Sequence, residues 1–413
     1  MKKVMTIFGT RPEAIKMAPL IKTLEKDSDL EPVVVVTAQH REMLDSVLNT
    51  FNISADYDLN IMKAGQTLSE VTSEAMKKLE DIIQKEVPDM VLVHGDTVTT
   101  FSGALAAFYS QTPIGHVEAG LRSYNKYSPY PEEINRQMVG VMADLHFAPT
   151  YNAAQNLVKE GKLAKHIAIT GNTAIDAMNY TIDHQYSSSI IQKHKNKNFI
   201  LLTAHRRENI GKPMINVFKA IRKLIDEYQD LALVYPMHMN PKVRDIAQKY
   251  LGNHPRIELI EPLDVVDFHN FAKQAYLIMT DSGGIQEEAP SLHKPVLVLR
   301  DSTERPEGVD AGTLRVIGTN EEDVYNETKK LLDNQDLYQK MSQAVNPYGD
   351  GQASERIVQH IKYYFNLAND RPYHLDCMSG TVYMIGIGHS EAIKCVVSTS
   401  FSNNICNIIF IYW

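Results

Sequence analysis

Along the first 170 residues, short β-branched and aliphatic runs alternate with longer stretches in which apolar positions recur at helical spacing. Residues 3–8 (Lys-Val-Met-Thr-Ile-Phe) read as a strand, and 13–26 as a helix carrying Ile15, Ala18, Leu20, Ile21 and Leu24. Residues 32–37 contain four consecutive valines, the near-continuous apolar run of a strand buried on both faces. Strands are predicted at 89–94 and 113–117 with a helix over 99–109 between them, and at 146–149 and 166–170. The pattern then restarts: a strand at 198–204, a helix at 213–228, and strands at 232–235, 257–260, 275–280 and 296–299. This alternation predicts the α/β class, with two doubly wound parallel sheets and a boundary near Gly171-Asn172-Thr173. The Ser- and Lys-rich stretch 183–197 reads as a surface excursion, 346–351 as a loop, and 353–369 as a final helix. Beyond it the character changes. Residues 377–413 carry only Glu391 and Lys394 as formal charges, lack periodicity, and read as an appendage.

Composition narrows the function classes. In 413 residues there are 42 Lys+Arg against 50 Asp+Glu, a net charge of −8. With 44% hydrophobic and 22% charged residues, the chain has the make-up of a globular enzyme rather than a disordered segment. The mild acidity argues against nucleic acid or an anionic membrane as the main partner, while leaving room for a local basic pocket. The apolar run after Lys2-Lys3 breaks at Gly9-Thr10-Arg11-Pro12, too short for a signal peptide, and no stretch approaches the ~18 apolar residues of a membrane span. A cytoplasmic protein is expected. Cys377, Cys395 and Cys406 show no zinc-like spacing and no disulfide framework, so neither metal nor cofactor is expected.

Ligands of open parallel sheets bind beyond the carboxyl ends of the strands, so the residues that follow each strand matter most. After the first comes Gly9-Thr10-Arg11-Pro12-Glu13, with Lys16 a turn later. Cations at a helix N-terminus suit an anion, although a plain strand-to-helix turn explains them equally well. A single glycine here, where a dinucleotide fingerprint needs three, counts against a nicotinamide cofactor. His94-Gly95-Asp96-Thr97 and Glu118-Ala119-Gly120-Leu121-Arg122 follow two consecutive strands. Asp96 alone could be a helix cap; paired with Glu118 at one sheet edge, it becomes a candidate for acid/base work. The proline-stiffened segment 127–136 enters a helix whose first turn holds Glu132 and Glu133, with Arg136 placed for an i,i+4 pair to Glu132. In the second half, His205-Arg206-Arg207 ends a strand in a manner suited to a polyanion, and Tyr235-Pro236-Met237-His238 ends another. Thr280-Asp281-Ser282-Gly283-Gly284 leads from a strand into a helix, a backbone cradle for phosphate, with Glu288 one turn on and able to reach ribose hydroxyls. Arg305 adds a cation on a Gly/Pro-punctuated loop. The two halves are expected to face one another across a cleft for a diphosphate-bearing molecule such as a nucleotide sugar. The residues alone leave the reaction type open.

The segments 8–13, 93–96, 116–122, 127–136, 203–209, 280–289, 303–308 and 346–354, in this order over about residues 1–370, closely resemble the non-hydrolysing UDP-N-acetylglucosamine 2-epimerases of bacteria. The resemblance implies two Rossmann-like domains of the glycosyltransferase-B type, usually as a homodimer. Residues 1–170 would carry the catalytic carboxylates and 171–352 would bind UDP. Residues 353–370 would form a helix crossing back to the first domain, with 371–413 an atypical tail. It also implies interconversion of UDP-GlcNAc and UDP-ManNAc through elimination of UDP to 2-acetamidoglucal, supplying ManNAc for cell-surface polysaccharide. By the same resemblance Asp96, Glu118 and Glu132 are acid/base carboxylates, and His205 contacts the departing diphosphate. Arg11, Lys16, Arg136, Phe268 (uracil), Ser282, Gly283, Gly284, Glu288 (ribose) and Arg305 bind substrate. UDP-GlcNAc as an allosteric activator would meet Gln39, His40, Gln66, Arg207 and His238, although Glu42 and Gly65 depart from the glutamine and arginine of relatives. Three alternatives remain: a hydrolysing epimerase, a retaining glycosyltransferase of this fold, and a UDP-sugar sensor without turnover. The presence of all three carboxylates argues against the sensor.

Overall fold

In a computed structural model of the chain, residues 1–38, 41–63, 65–370, 372–375, 386–388 and 391–393 are described. The apolar runs of the first half become seven strands: β1 (Lys2–Phe8), β2 (Leu30–Val36), β3 (Tyr57–Asp58), β4 (Met90–His94), β5 (Ile114–Val117), β6 (Leu145–Ala148) and β7 (Ile167–Ile169). They form one parallel sheet in the order β3-β2-β1-β4-β5-β6-β7. β1 shows why the run is apolar on both faces. Val4 and Phe8 join the core on one side of the sheet, and Met5 and Ile7 join the core on the other, all fully buried. Burying a side chain of this size stabilises by roughly 1.5–3 kcal/mol.

A second parallel sheet contains β8 (Asn198–Thr203), β9 (Leu231–Pro236), β10 (Ile257–Ile260), β11 (Leu277–Thr280), β12 (Val296–Val298) and β13 (Leu314–Val316). Its order is β10-β9-β8-β11-β12-β13. In each sheet the strand order reverses once, between β1 and β4 and between β8 and β11. These switch points are where an open α/β sheet leaves a crevice for ligand. Sequence periodicity misses β3 and β13, because edge strands of two or three residues are too short to show a period.

The chain forms two compact units: Met1–Tyr180 with the described residues from Gly349 onward, and Thr181–Tyr348. The final helix, Ala353–Tyr364, belongs to the first unit and is shorter than the predicted 353–369. It buries Ile357, Val358 and Ile361 in the cluster that holds Ala14, Met17, Leu20 and Ile21 of the helix Arg11–Leu24. Its N-terminus is capped from a distance, with Ala353 N–H and Ser354 N–H donating to the two oxygens of Asp176 at 3.2 and 2.7 Å. Lys362 Nζ reaches Asp27 and Asp29 at 2.9 and 2.8 Å.

The surface excursion 183–197 contains structure of its own, since Ser188 caps a short helix, Ser189–Lys193, that buries Ile191. Packing continues past the final helix. Leu375 N–H donates to the Ile169 carbonyl at 2.7 Å and Ile169 N–H to His374 Nδ1 at 3.0 Å, which attaches this segment to β7. Gly386–Gly388 pairs antiparallel with Glu391–Ile393. Cys377, Cys395 and Cys406 lie outside the described residues. Among the described residues no helix is long and apolar enough to cross a membrane, and no group of three or more His, Cys, Asp or Glu is placed to hold a metal ion.

Candidate active site

The first site is built at the carboxyl ends of β1, β4 and β5. Thr10 caps the helix Arg11–Leu24, and Glu13 returns the cap by accepting from the N–H groups of Gly9 and Thr10 at 2.9 and 2.7 Å. The other oxygen of Glu13 accepts from the Thr97 hydroxyl at 2.6 Å. One buried carboxylate thus clips the β1 loop to the β4 loop. These loops and the end of β5 enclose a pocket of about 510 Å³ whose lining includes Arg11, Lys16, His94, Asp96 and Glu118.

Arg136 is the hub of the charges there. From the helix Glu132–Met142 its Nη2 reaches Asp96 Oδ2 at 2.5 Å and Glu118 Oε1 at 3.3 Å, while Nη1–H donates to the Glu118 carbonyl. Asn135 Nδ2–H, one residue earlier, donates to the Asp96 carbonyl at 3.0 Å. The expected Glu132–Arg136 pair is therefore corrected: the guanidinium points into the strand ends rather than along its own helix. Lys16 Nζ bonds Glu118 Oε2, and His94 Nε2 lies 3.7 Å from that oxygen. Glu132 opens the helix one turn before Arg136, half-buried, and is not among the pocket's lining residues. Glu118 itself sits at φ 61°, a left-handed backbone that costs a non-glycine residue of order 1–3 kcal/mol. Strain of that kind is held by surrounding structure, here by Ala119 N–H bonding the Phe147 carbonyl at 3.0 Å and by Arg136 on the Glu118 carbonyl. Two residues on, Gly120 (φ +86°) has the Ala153 carbonyl 2.2 Å from where a Cβ would stand, so only glycine fits the turn.

The electrostatics follow from this packing. Burial pushes the Glu118 carboxyl up, but the Lys16 ammonium and the Arg136 guanidinium outweigh it and hold it well below the usual carboxylate range. Burial lowers His94 to about 4, and His116, whose Nε2 lies 2.8 Å from the Gly95 carbonyl, well below its ordinary value. Near neutrality the site holds an ionised Glu118 beside a neutral imidazole. An ionised carboxylate can accept a proton without first having to lose one, but the cations on either side make Glu118 a weaker base than a free carboxylate.

The second site lies at the switch point of the other sheet. Asp281, fully buried after β11, accepts through Oδ2 from the N–H groups of His205 and Arg206, each at 2.9 Å, and from Asn209 Nδ2 at 3.1 Å. It thereby folds the loop that follows β8. His205 is partly exposed and stacks on His238, ring centroids 5.4 Å apart and planes 8° from parallel. Ser282 N–H donates to the Thr280 hydroxyl at 2.9 Å, and Gly283-Gly284 open the short helix Gly283–Glu288. A Cβ at Gly283 would stand 3.5 Å from an Arg305 nitrogen, which places that guanidinium over the turn, where it also bonds the buried Glu287. Glu288 Oε2 lies 3.5 Å from His269 Nε2, whose other ring nitrogen meets the Thr181 hydroxyl at 2.7 Å. Phe268, next to His269 in the helix Val265–Gln274, is half-buried against the core.

Lys16, Asp96 and Glu118 therefore line one pocket in the first unit, with buried Arg136 bridging the two acids from behind and Arg11 exposed on its rim. His205, Ser282, Gly283, Gly284 and Arg305 gather beyond β8 and β11 in the second, with Glu288 at the end of the short helix. Of the five residues considered for an activator, Gln66 donates to the Ile61 carbonyl at 3.1 Å, Arg207 and His238 are exposed, and Gln39 and His40 lie outside the described residues. Sequence reasoning missed Glu13, His94 and Asp281. The Thr10-x-x-Glu13 spacing is a capping-box signature and could have revealed Glu13. Asp281 offered only the hint of an acid directly after the strand Leu277–Thr280, every residue of which is buried.

The family model described as UDP-N-acetylglucosamine 2-epimerase matches residues 22–362. The UDP-N-acetylglucosamine 2-epimerase of Bacillus subtilis (strain 168) is 60% identical over 370 residues, covering 90% of this chain and 97% of that protein. Among solved structures, the S. aureus MnaA–UDP co-structure is 69% identical with a TM-score of 0.85, covering 91% of this chain and 100% of that one. The UDP-GlcNAc 2-epimerase from Neisseria meningitidis bound to UDP-GlcNAc is 47% identical with a TM-score of 0.79, covering 87% and 100%. With two Rossmann-like sheets of the glycosyltransferase-B type, a pocket of paired carboxylates and relatives at these identities, the chain belongs to the UDP-N-acetylglucosamine 2-epimerase family of isomerases.

Proposed function

We propose that the protein converts UDP-GlcNAc reversibly to UDP-ManNAc without hydrolysis, by elimination and re-addition of UDP. The C2 hydrogen of the sugar is not acidic, so direct removal followed by return on the other face would be slow. Elimination avoids the difficulty. The C2 proton goes to an enzyme base, the C–H electron pair forms the C1=C2 bond of 2-acetamidoglucal, and the C1–O bond breaks with its pair going to UDP. In the return, UDP oxygen re-forms the bond to C1 while a proton is delivered to the opposite face of C2.

The observation that carries this reading is the Arg136 bridge, which keeps Asp96 and Glu118 in one pocket beside Lys16. Two proton-handling groups are the minimum for exchange on two faces, and Glu132 is proposed as a third. Arg11, Lys16 and Arg136 are assigned to the sugar and phosphate, and Phe268 to the uracil. Ser282, Gly283, Gly284 and Arg305 are assigned to the diphosphate with His205, and Glu288 to the ribose. Backbone N–H groups and cations at a leaving diphosphate stabilise the charge that develops there. UDP in the S. aureus structure and UDP-GlcNAc in the N. meningitidis structure support the choice of ligand. We further assign Gln39, His40, Gln66, Arg207 and His238 to UDP-GlcNAc acting as activator, the homodimer as the working assembly, and a ManNAc donor for cell-surface polysaccharide as the use of the product.

The test is incubation with UDP-GlcNAc in deuterated water, without added metal or nucleotide cofactor, followed by NMR of the sugar. UDP-ManNAc carrying deuterium at C2 is the expected product. Product with protium at C2 contradicts solvent-exchanging elimination, free ManNAc indicates the hydrolysing reaction, and binding with no turnover indicates a sensor.

A further inference from the structure

We propose that Asp281 is a positioning residue for His205, holding its Nδ1–H so that Nε2 faces the diphosphate; this rests on the reading of His205 as a diphosphate contact. One oxygen of Asp281 is fully employed by the backbone N–H groups of His205 and Arg206 and by Asn209. The other, Oδ1, is buried with no hydrogen-bond partner among the described residues, and lies 3.7 Å from His205 Nδ1. A buried carboxylate oxygen without a donor is costly, and native proteins rarely keep one without a use. The nearby imidazole is the donor it lacks, and a small side-chain rotation of His205 closes the gap.

The neighbours restrict the alternatives. Arg206 turns its Nε–H to the Asp281 carbonyl at 2.8 Å and its Nη1 toward Glu208 and Glu304, at 3.7 and 3.9 Å, leaving Oδ1 to the imidazole. His238 stacks flat on His205 and holds the ring plane. Asp281, His238 and Arg206 are the titratable groups that face the ring. Burial opposes its protonated form most, Asp281 favours that form, and His238 and Arg206 oppose it, so the ring lies below the ordinary histidine value. In the absence of ligand the ring is therefore neutral, with its proton on Nδ1. A diphosphate at the Nε2 edge adds the missing negative charge, so on binding the ring takes up a second proton from water and donates Nε2–H to a phosphate oxygen, a bond that is held as the C1–O bond breaks. An acid that fixes an imidazole's tautomer in this way changes turnover far more than substrate affinity.

The direct measurement is ¹⁵N NMR of the full-length wild-type protein with labelled histidine, the His205 signals being assigned by their loss in His205→Asn. The expected result is an Nδ1–H tautomer in the free enzyme and both nitrogens protonated with UDP. An Nε2–H tautomer that UDP leaves unchanged overturns the inference without recourse to any Asp281 variant. In kinetics, Asp281→Asn keeps an oxygen for the two backbone donors but cannot accept from Nδ1–H. It should lower kcat by about 10–100-fold with KM changed far less. In the His205→Asn background the same substitution should add little, since the partner it positions is gone. Effects that multiply would make Asp281 a scaffold residue only, and overturn the proposal. A wild-type rate in His205→Asn alone would remove His205 itself from the reaction, which is a different failure.

Discussion

The two switch points solve opposite problems with the same topology. Beyond β1, β4 and β5, buried charge is balanced by side chains: Arg136 spans Asp96 and Glu118, and Lys16 closes on Glu118. Beyond β8 and β11, one buried acid orders a loop through backbone N–H groups, and bare glycines open a helix. The first arrangement keeps the Glu118 carboxylate ionised where burial alone would raise it, as a group that must accept a proton requires. The second offers fixed dipoles, as an anion that departs and returns requires. Substitutions in the first unit should therefore act on kcat and stability, and those at the second unit's glycine turn on the affinity for UDP.

The sharpest break in this contrast is Arg136→Met. With the bridge gone, buried Glu118 keeps only Lys16 and half-buried Asp96 loses its cation, so activity should be lost and unfolding should become easier by about 1–3 kcal/mol, measured by urea denaturation. Retained stability would show that Asp96 and Glu118 do not depend on the bridge. Next, Asp96→Asn and Glu118→Gln should each lower kcat by about 100-fold or more in a coupled assay, the scale of a lost acid or base, and a near-normal rate removes that residue from the chemistry. Of comparable size but opposite character is a pH effect that involves no catalysis. The His94 value of about 4 lies below the ordinary 6.5, so between those pH values the unfolded chain takes up a proton that the folded one refuses. The His94 share of stability should thus fall by about 3 kcal/mol as pH drops from 6.5 to 4, with buried His116 adding a loss of the same sign, and His94→Gln should remove only that share from a melting-temperature profile. The depressed Glu118 acts at lower pH: its contribution is present above the ordinary carboxylate value and is lost as pH falls through the folded one. The smallest effect on the fold belongs to Gly283→Ala. A Cβ there meets Arg305 only at ordinary contact distance, so stability should change by less than about 1 kcal/mol while affinity for UDP in calorimetry falls about tenfold. Unchanged affinity would move the phosphate away from this turn.

The legibility of these regions differs in the same way. The strands were plain because parallel strands buried on both faces read as unbroken runs, as in Val33–Val36 of β2. Asp96, Glu118 and Ser282-Gly283-Gly284 were identifiable because a sheet's chemistry sits where its strands end. Residues that act through another group were not. Arg136 looks like the partner of Glu132 on a helical wheel, and only the packing of its helix against the helix Val98–Tyr109 and β5 turns it inward. Glu13 reads as a helix cap and is one, and its second bond to Thr97 depends on two loops that are 84 positions apart. The left-handed backbone of Glu118 leaves no trace in composition, since strained residues are held by their surroundings.

The central claim is that the C1–O bond of the substrate is broken and remade while UDP stays bound. UDP-GlcNAc carrying ¹⁸O in the bridge between C1 and the β-phosphate tests it directly, with ³¹P NMR following the label. On the present account the label spreads from the bridge into the non-bridging β-phosphate positions at a rate comparable to epimerisation, and more slowly in Glu118→Gln. Full epimerisation with the label still in the bridge would contradict it.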